Sequence, residues 1–265
     1  MTALITGASS GIGLELARIF ASKRHDVVLV ARSEDKLRAL ARECEQSGAR
    51  AYVVAADLAG SQGPKTIVDA VATLGLQIDI LVNNAGFGVY GRFAETPLER
   101  EIESIQLNVL ALTELTKRFL PAMLARRSGR ILNVASTAGF LPGPLMAVYY
   151  ATKAYVISFS EGIANELEGT GVTVTVLCPG PTATGFQAAA NLESSRIVSL
   201  LRKATSRSVA EAGYEAVMAG KVVAVPGLSN KISALAPRLF PRATIRRVVR
   251  AIQEPRARSA AKGHV

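Results

Sequence analysis

The chain has 265 residues, of which 49% are hydrophobic, and this suits one mid-sized α/β domain with a single large core. Its formal charge is +10, and no repeat or low-complexity block divides it. No apolar run approaches membrane-spanning length, and the first predicted strand leaves no room for a signal peptide, so we expect a cytoplasmic protein. The two cysteines, Cys44 and Cys178, have no metal-like spacing, and we expect no metal site.

A glycine-rich turn follows the first predicted strand. The apolar run at residues 3–5 predicts a buried strand, and an apolar spacing after the motif TGASSGIG, residues 6–13, predicts a helix. Gly7 allows a tight turn, whereas Gly11 and Gly13 let backbone approach a ligand closely. The N–H groups at the helix start favour a pyrophosphate. We therefore expect dinucleotide contacts at Gly7, Ser9, Ser10, Gly11, Ile12 and Gly13.

The same turn also contains the pattern Gly-x-Ser-x-Gly, which carries the nucleophilic serine in α/β-hydrolases. That chemistry needs a histidine base later in the chain. The two histidines are His25, which we expect on the surface after the first helix, and His264 beside the C-terminus. Neither position suits a base, so the hydrolase interpretation is disfavoured.

Strand-like and helix-like segments alternate along the chain. Six further strands are predicted at residues 27–31, 51–55, 78–82, 130–134, 172–178 and 222–225, and the clearest helices at 34–45, 97–126 and 148–168. Seven strands with crossover helices predict an α/β fold of the Rossmann type, a doubly wound, seven-stranded, mostly parallel sheet with helices on both faces. Ligands of such sheets bind at the carboxyl ends of the strands, where the motifs fall.

The end of the second strand distinguishes the two nicotinamide dinucleotides. An acidic residue there would bind the free ribose of NAD, whereas a cation favours the extra phosphate of NADP. The chain has Ala31 and Arg32 at this place. Because a guanidinium grips a phosphate through two parallel hydrogen bonds, we expect NADP(H). Further cofactor contacts are expected after the third and fourth strands, at Asp57, Leu58, Asn84, Ala85 and Gly86.

A hydroxyl, a phenol and an ammonium group follow in the order that carbonyl reduction by a nicotinamide needs. Tyr149 lies thirteen residues after Ser136, and Lys153 follows four residues later. The combination of TGASSGIG, NNAG, Asn108, Ser136, Tyr149-x-x-x-Lys153 and PGPTAT at 179–184 resembles the short-chain dehydrogenase/reductase family in its classical form. The resemblance is continuous from residue 2 to about 185, and it implies the same seven-stranded Rossmann sheet.

The resemblance also implies roles for these residues. Tyr149 would donate the proton to the substrate carbonyl, and Ser136 would orient that carbonyl and stabilise charge on its oxygen. Lys153 lies on the same helical face as Tyr149, and we expect its ammonium, together with the positive oxidised nicotinamide, to lower the pKa of the phenol. Asn108 would hold a proton-relay water near the lysine. Cofactor contacts are implied at Tyr149, Lys153, Pro179, Gly180, Thr182 and Thr184, with Thr184 fixing the carboxamide.

Two neighbouring tyrosines are weaker candidates for the proton donor. Tyr150 has Ala154 four residues later, which has no charge to perturb a phenol. Tyr155 has Phe159 at that spacing, which indicates packing.

The positive charge is concentrated in the last quarter of the chain. Residues 1–195 have 17 Lys/Arg against 18 Asp/Glu, whereas residues 196–265 have 14 against 3. We expect one Rossmann-fold catalytic domain at 1–228 and a basic amphipathic extension at 229–265. Such an extension suits an anionic membrane surface, a phosphorylated acyl carrier or a second subunit, and beside the active site it favours acyl or lipid-like ketones.

The family places its substrate loop at about residues 185–210, where apolar residues indicate an apolar cleft, and commonly forms dimers or tetramers through the helices with Asn108 and Tyr149. We therefore expect a homo-oligomer. The alternatives are an NAD-linked alcohol dehydrogenase and a non-catalytic NADP-binding regulator. A nucleic-acid partner is disfavoured, because the basic tail has one aromatic residue, Phe240, and no reading motif.

Overall fold

The computed structural model describes residues 1–183 and 204–254. Within these residues seven parallel strands form one sheet in the order β3-β2-β1-β4-β5-β6-β9. Two short strands, β7 and β8, form a separate parallel pair. The strands are β1 Thr2–Thr6, β2 Asp26–Ala31, β3 Ala51–Ala55, β4 Ile80–Asn83, β5 Gly129–Val134, β6 Val172–Leu177, β7 Thr182–Ala183, β8 Ala204–Thr205 and β9 Val223–Ala224.

Helices connect the strands and cover both faces of the sheet. A π-helical segment, Gln106–Ala111, joins α4 to α5, and a 3₁₀ helix, Thr137–Phe140, follows β5. The α-helices are α1 Gly11–Ser22, α2 Glu34–Gln46, α3 Gly63–Thr73, α4 Leu98–Ile105, α5 Leu112–Ala125, α6 Ala147–Glu166, α7 Ser206–Met218, α8 Leu228–Leu239 and α9 Arg242–Gln253.

Two apolar clusters sandwich the sheet. On one face α1, α2 and α7 bury side chains such as Phe20, Leu37 and Val217, and on the other α3 and α5 bury Ile67 and Leu115. Because both faces are covered, the strands read as continuous apolar runs rather than alternating ones. The predicted doubly wound Rossmann fold is confirmed, and each predicted strand overlaps an observed one.

One expectation was wrong. His25 is only 6% exposed, because the chain turns back after α1 and its ring packs edge-on against Phe20, with Nε2 3.2 Å from the hydroxyl of Tyr214.

The predicted substrate loop at about 185–210 lies mostly outside the described residues and stays a prediction. At its end, residues 204–205 form β8 and α7 begins at Ser206, with Val209 and Ala210 buried in the core.

The basic C-terminal extension forms two helices in its described part. α8 begins at Leu228, next to the predicted division of the chain, which stays a prediction. α9 buries Ile245 and Val249 against Met146 and Tyr150. The last described helix therefore lies beside the first turn of α6, which carries Tyr149.

Candidate active site

The hydroxyl of Thr6 joins the glycine-rich turn to the NNAG loop at the carboxyl edge of the sheet. It accepts hydrogen bonds from the backbone N–H of Asn84, at 2.9 Å, and of Ala85, at 3.0 Å. The amide of Asn84 donates to the Thr6 carbonyl oxygen at 2.8 Å. The two loops thus form one rigid unit. Thr6 was absent from the predicted contacts, although it is the first residue of the TGASSGIG motif.

Glycine is required twice in this unit because the Asn84 side chain fills the space beside the backbone. A Cβ at Gly13 would lie 2.4 Å from both Asn84 Nδ2 and the Gly7 carbonyl oxygen. Gly7 itself has φ +67°, in the left-handed region that disfavours other residues. These two glycines therefore allow close packing of the loops, and this packing sets the position of the α1 N-terminus.

The start of α1 has the chemistry of an anion site. Ser10 precedes the helix in an extended conformation, and its side chain makes no capping hydrogen bond. The first N–H groups of a helix have no partner within it, and they point along the positive end of the helix dipole. Ser9 and Ile12 are partly exposed beside them, and Gly11 has φ +58°. The residues present fit the pyrophosphate of a dinucleotide.

The predicted adenosine end of the site has a free cation. Arg32 is exposed at the end of β2, and it forms no ion pair or hydrogen bond with the described residues. Asp57 is exposed after β3, and its carboxylate accepts from the Ala59 N–H at 3.1 Å. Leu58 differs from both, since its side chain is 6% exposed and belongs to the core. Any cofactor contact at Leu58 therefore falls to its backbone.

Ser136, Tyr149 and Lys153 lie together beyond the end of β5. The Ser136 side chain forms a hydrogen bond with the Tyr149 side chain and also accepts from the Ala138 N–H at 3.1 Å. The ammonium of Lys153 donates to the Val134 carbonyl oxygen at 2.8 Å, and it lies 5.8 Å from the centre of the Tyr149 ring. That carbonyl is the lysine's one acceptor within the described chain, so two N–H groups of the ammonium are available to a ligand.

Burial shifts the pKa values of both groups. It raises the pKa of the Tyr149 phenol above its usual value, and the hydrogen bond with Ser136 opposes this rise. Burial lowers the pKa of Lys153 from 10.5 to about 8. The expected lowering of the phenol's pKa by Lys153 together with the oxidised nicotinamide stays a prediction.

Asn108 is held by four hydrogen bonds in the π-helical segment. Its Oδ1 accepts from the Phe87 N–H at 3.1 Å, and its Nδ2 donates to the Phe87 carbonyl oxygen at 2.8 Å and to Thr152 Oγ1 at 3.0 Å. A longer bond, 3.3 Å, joins Nδ2 to Ser104. A Cβ at Gly86 would lie 2.8 Å from Asn108 Oδ1 and 3.4 Å from Lys153 Nζ. The asparagine and the lysine therefore face the same small space.

A network of buried side-chain hydrogen bonds supports the site, and it was not predicted from the sequence. Asn83 on β4 donates to Asn133 Oδ1 on β5 at 2.9 Å and to Thr116 Oγ1 on α5 at 3.0 Å. Asn133 in turn donates to Ser160 on α6 at 2.9 Å. The first Asn of NNAG thus fixes the strands to α5 and α6, the two helices that flank the catalytic candidates.

The loop after β6 closes the site on a further side. Pro179 accepts from the Thr137 N–H at 2.9 Å and from the Ser136 hydroxyl at 3.4 Å, so it holds the loop that carries the serine. Thr182 donates to the Gly180 carbonyl oxygen at 2.8 Å. A Cβ at Gly180 would lie 2.2 Å from Asn230 Oδ1, because α8 packs directly on this turn. Thr184 lies outside the described residues.

Apolar and aromatic side chains pack beside Tyr149. Tyr90, Leu141 and Tyr149 pack against a cluster made by Ala138, Met146, Tyr150, Ile245 and Val249. Each of the adjacent tyrosines has a glycine against its ring. A Cβ at Gly88 would lie 2.8 Å from Cδ2 of Tyr149, and one at Gly143 would lie 2.0 Å from Cγ of Tyr150.

Hydrogen bonds connect this cluster to the end of α9. Tyr90 donates to the Gln253 carbonyl oxygen, and the Gln253 amide donates to the Tyr150 hydroxyl, each at 2.6 Å. The C-terminal helix therefore helps to hold the residues that pack around Tyr149.

Three other features of the described residues concern metals, thiols and membranes. Within residues 1–183 and 204–254, no three His, Cys, Asp or Glu side chains are grouped as a metal site would need. Cys44 and Cys178 are buried free thiols, and burial raises their pKa values to about 11 and about 12. None of the helices in the described ranges has the length and apolar composition needed to cross a membrane.

Known proteins resemble the chain in sequence and in structure. Residues 1–195 match the family described as short chain dehydrogenase. The ketoacyl reductase HetN of Nostoc sp. is 36% identical over 218 residues, which are 82% of this chain and 75% of that protein.

Two solved structures extend the comparison over nearly the whole chain. A short-chain dehydrogenase from Sphingobium yanoikuyae in complex with NADPH has 32% identity and a TM-score of 0.78, with 99% of each chain covered. A short-chain dehydrogenase/reductase from Burkholderia phymatum in complex with NAD has 27% identity and a TM-score of 0.80, with 97% of each chain covered. Both dinucleotides thus occur in similar structures.

Proposed function

Because the chain belongs to the short-chain dehydrogenase/reductase family, we propose that it is an NADP(H)-dependent reductase of apolar or acyl-type ketones. Membership makes it an oxidoreductase that acts on carbonyl or alcohol groups. The observation that carries the proposal is the arrangement at the end of β5, where Tyr149 is hydrogen-bonded to Ser136 and lies one helical turn from the buried ammonium of Lys153. A protein that only bound the dinucleotide would not need this set.

The proton chemistry follows from the environment of Tyr149. Burial raises the pKa of the phenol, so the hydroxyl carries its proton at neutral pH and is ready to donate it to a carbonyl oxygen. Ser136 is placed to hydrogen-bond the same oxygen and to stabilise charge that develops on it. Lys153 and Asn108 face the space beside Gly86, and through a water there they would return a proton to the phenol from solvent.

The dinucleotide would lie along the carboxyl edge of the sheet. The α1 N-terminus, with residues 7–13, would hold the pyrophosphate, and the NNAG loop with Pro179, Gly180 and Thr182 would contact the nicotinamide half. The two free N–H groups of Lys153 would bind ribose hydroxyls. When bound, the nicotinamide supplies the hydride. The residues of the chain hold it against the cleft and exclude water from it.

Arg32 supports the preference for NADP(H). It is the exposed cation at the end of β2, where the 2′-phosphate of the adenine ribose would lie. Because no carboxylate of the described residues pairs with it, its guanidinium can bind a phosphate without first breaking one of those ion pairs.

The apolar side chains near Tyr149 support a ketone with a hydrophobic body. Met146, Ile245 and Val249 belong to the apolar cluster against which Tyr90, Leu141 and Tyr149 pack. The relative HetN carries the name ketoacyl reductase, which agrees with an acyl-type substrate. The basic extension would then contact an acyl carrier or a lipid surface.

The exposed apolar residues of the α4–α5 region and of α6 support self-association. Leu98, Ile102, Leu110 and Tyr155 are between 38% and 66% exposed on these helices. We expect dimers or tetramers through this face, to be checked by analytical ultracentrifugation.

The catalytic prediction is tested with Tyr149→Phe. Oxidation of NADPH against a panel of long-chain acyl and steroid ketones should fall by at least about 100-fold, because general-acid catalysis is lost. NADPH should still bind, because the ring remains in place. Tyr155→Phe on the same helix is the matched control and should retain its activity. A wild-type chain that binds NADPH and reduces no ketone would favour the non-catalytic regulator instead.

The cofactor prediction is tested with Arg32→Ala. The dissociation constant of NADPH should rise about 10- to 100-fold, as expected for one charge-assisted contact, while that of NADH stays the same. Arg42→Ala, an exposed cation on α2, is the control. Equal losses for both dinucleotides would favour the NAD-linked alcohol dehydrogenase, for which the NAD complex of the Burkholderia phymatum structure provides a precedent.

A further inference from the structure

Helix α8 presents its apolar face to solvent. Its side chains at Leu228, Ile232, Leu235 and Leu239 are exposed by 75%, 61%, 52% and 77%. Their spacings of four, three and four residues place them on one face of the helix. We call these four residues the α8 stripe.

The opposite face of α8 packs on the body of the protein and carries the polar residue Asn230. Asn230 lies against Gly180, and its amide donates to the Pro226 carbonyl oxygen at 2.6 Å. A surface helix normally turns its apolar side inward and its polar side outward. α8 has the reverse orientation, so its leucines add nothing to the core and form a surface suited to an apolar partner.

Exposed cations lie on α8 itself and on the next helix, α9. Lys231, Arg242, Arg246 and Arg247 are exposed, and none of them forms an ion pair with a described residue. Arg250 is exposed as well, but it pairs with Glu254, which is the single acidic residue between Leu228 and Glu254. We call Lys231, Arg242, Arg246 and Arg247 the basic rim. Its charge is local, because residues 1–195 have 17 Lys/Arg against 18 Asp/Glu.

We propose that the α8 stripe and the basic rim dock on the surface of an anionic lipid bilayer. A bilayer offers both partners that this surface lacks, acyl chains for the leucines and negative headgroups for the cations. A second copy of the chain fits less well, because a two-fold interface would bring two basic rims together. A soluble phosphorylated carrier would pair with the cations and leave the leucines in water.

One helix of the docking surface also packs beside the active-site candidates. The helix that carries three cations of the basic rim, α9, buries Ile245 and Val249 against Met146 and Tyr150. The bilayer would therefore lie beside Tyr149 and would supply water-insoluble ketones to it. The docking itself is independent of the proposed reaction, and its test needs no turnover.

The experiment is co-sedimentation of the full chain with vesicles of phosphatidylcholine, with and without phosphatidylglycerol. The protein should bind the anionic vesicles, and added salt should weaken the binding. Ile232→Gln with Leu239→Gln should lower the partition coefficient roughly 10-fold or more, because buried apolar area is lost. Arg242→Ala, Arg246→Ala and Arg247→Ala together should lower it roughly 100-fold, at about fivefold for each cation.

Matched variants on other surfaces separate docking from a general change in the protein. Leu74→Gln with Phe93→Gln removes two other exposed apolar residues, and Lys23→Ala, Arg42→Ala and Lys117→Ala remove three other exposed cations. Both control sets should bind vesicles as the wild type does. All variants alter exposed residues, and equal melting temperatures should show that they fold.

Several results would overturn the proposal. One is equal binding to vesicles without phosphatidylglycerol, and another is loss of binding in the control sets. Displacement from vesicles by excess coenzyme A would assign the basic rim to a soluble carrier. If the stripe variant did not change vesicle binding but split a lipid-free oligomer in ultracentrifugation, the α8 stripe would be an interface between copies of the chain.

Discussion

Lys153 is a buried cation that forms no ion pair with a carboxylate of the described residues. It is 5% exposed, and within the described chain it is held by one neutral acceptor, the Val134 carbonyl oxygen. A charge in such a place destabilises the folded protein, and burial accordingly lowers its pKa from 10.5 to about 8. Burying the Lys153 ammonium for the active site thus lowers the free energy of unfolding.

Lys153→Met should make the protein more stable at pH 7 while abolishing turnover. The unfolded chain binds the lysine proton more tightly than the folded chain, so the penalty is fully present below pH 8 and disappears as the pH rises towards 10.5. The shift corresponds to about 3 kcal/mol in the free energy of unfolding. Urea unfolding at pH 7 and pH 10 measures the gain, which should be larger at pH 7.

The exposed Lys117→Met serves as the control for this experiment and should leave the free energy of unfolding nearly unchanged at both pH values. A gain for Lys153→Met that is absent at pH 7, or that is the same at both pH values, would contradict the argument from burial.

The sequence predicts which residues form the candidate site better than it predicts their surroundings. The spacing of Ser136, Tyr149 and Lys153 is visible in the sequence, because four residues make about one helical turn. The distance of the ammonium from the phenol and the desolvation of both groups depend on packing between β5 and α6. For that reason the spacing alone did not predict that burial raises the pKa of Tyr149.

At the scale of elements, the segment predicted as one helix at 97–126 consists of α4, a π-helical segment and α5. The π-helical segment fits one additional residue into the helix, and it allows Asn108 to face Phe87 while Leu110 is 50% exposed. A hydrophobic pattern shows that a helix is present, but it does not show a single wide turn within it. Asn108 itself was predicted only from the family resemblance.

Deletion of Leu110 should return the segment to α-helical geometry and turn Asn108 by about 100° relative to α5. Asn108 would then lose both of its bonds to Phe87. Turnover of NADPH should fall about 100-fold, because the active-site loop shifts. The α-helical content and the affinity for NADPH should change little by comparison. Full activity with an unchanged melting temperature would show that the wide turn has no role in positioning Asn108.

At the scale of the whole molecule, helix α9 near the end of the chain packs beside the candidate active site. The sequence predicted a basic, amphipathic C-terminal extension, and the charge count alone was enough for that. It did not predict that Ile245, Val249 and Gln253 of α9 pack inward, since this depends on Tyr90 and Tyr150, more than ninety residues away along the chain. Contacts between residues so distant in sequence leave no local pattern.

Gln253→Leu should weaken the packing of α9 on the rest of the protein. The buried Tyr150 hydroxyl loses its 2.6 Å bond from the amide, which should lower the free energy of unfolding by about 2 kcal/mol. The melting temperature should fall by about 4–8 °C. Tyr150→Phe completes a double-mutant cycle measured by thermal unfolding, in which the double variant should lose less than the sum of the two single variants. Strict additivity would mean that the two groups do not interact.

Gly88 and Gly143 lie against the adjacent rings of Tyr149 and Tyr150, and we expect substitutions at the two glycines to be selected against for different reasons. Any side chain at Gly143 would collide with the buried ring of Tyr150, and a variant there would be lost through misfolding. A methyl group at Gly88 would instead displace the ring of Tyr149, the candidate proton donor. In a library of random variants sorted first for abundance and then for turnover, Gly143 should be depleted in the first sort and Gly88 mainly in the second.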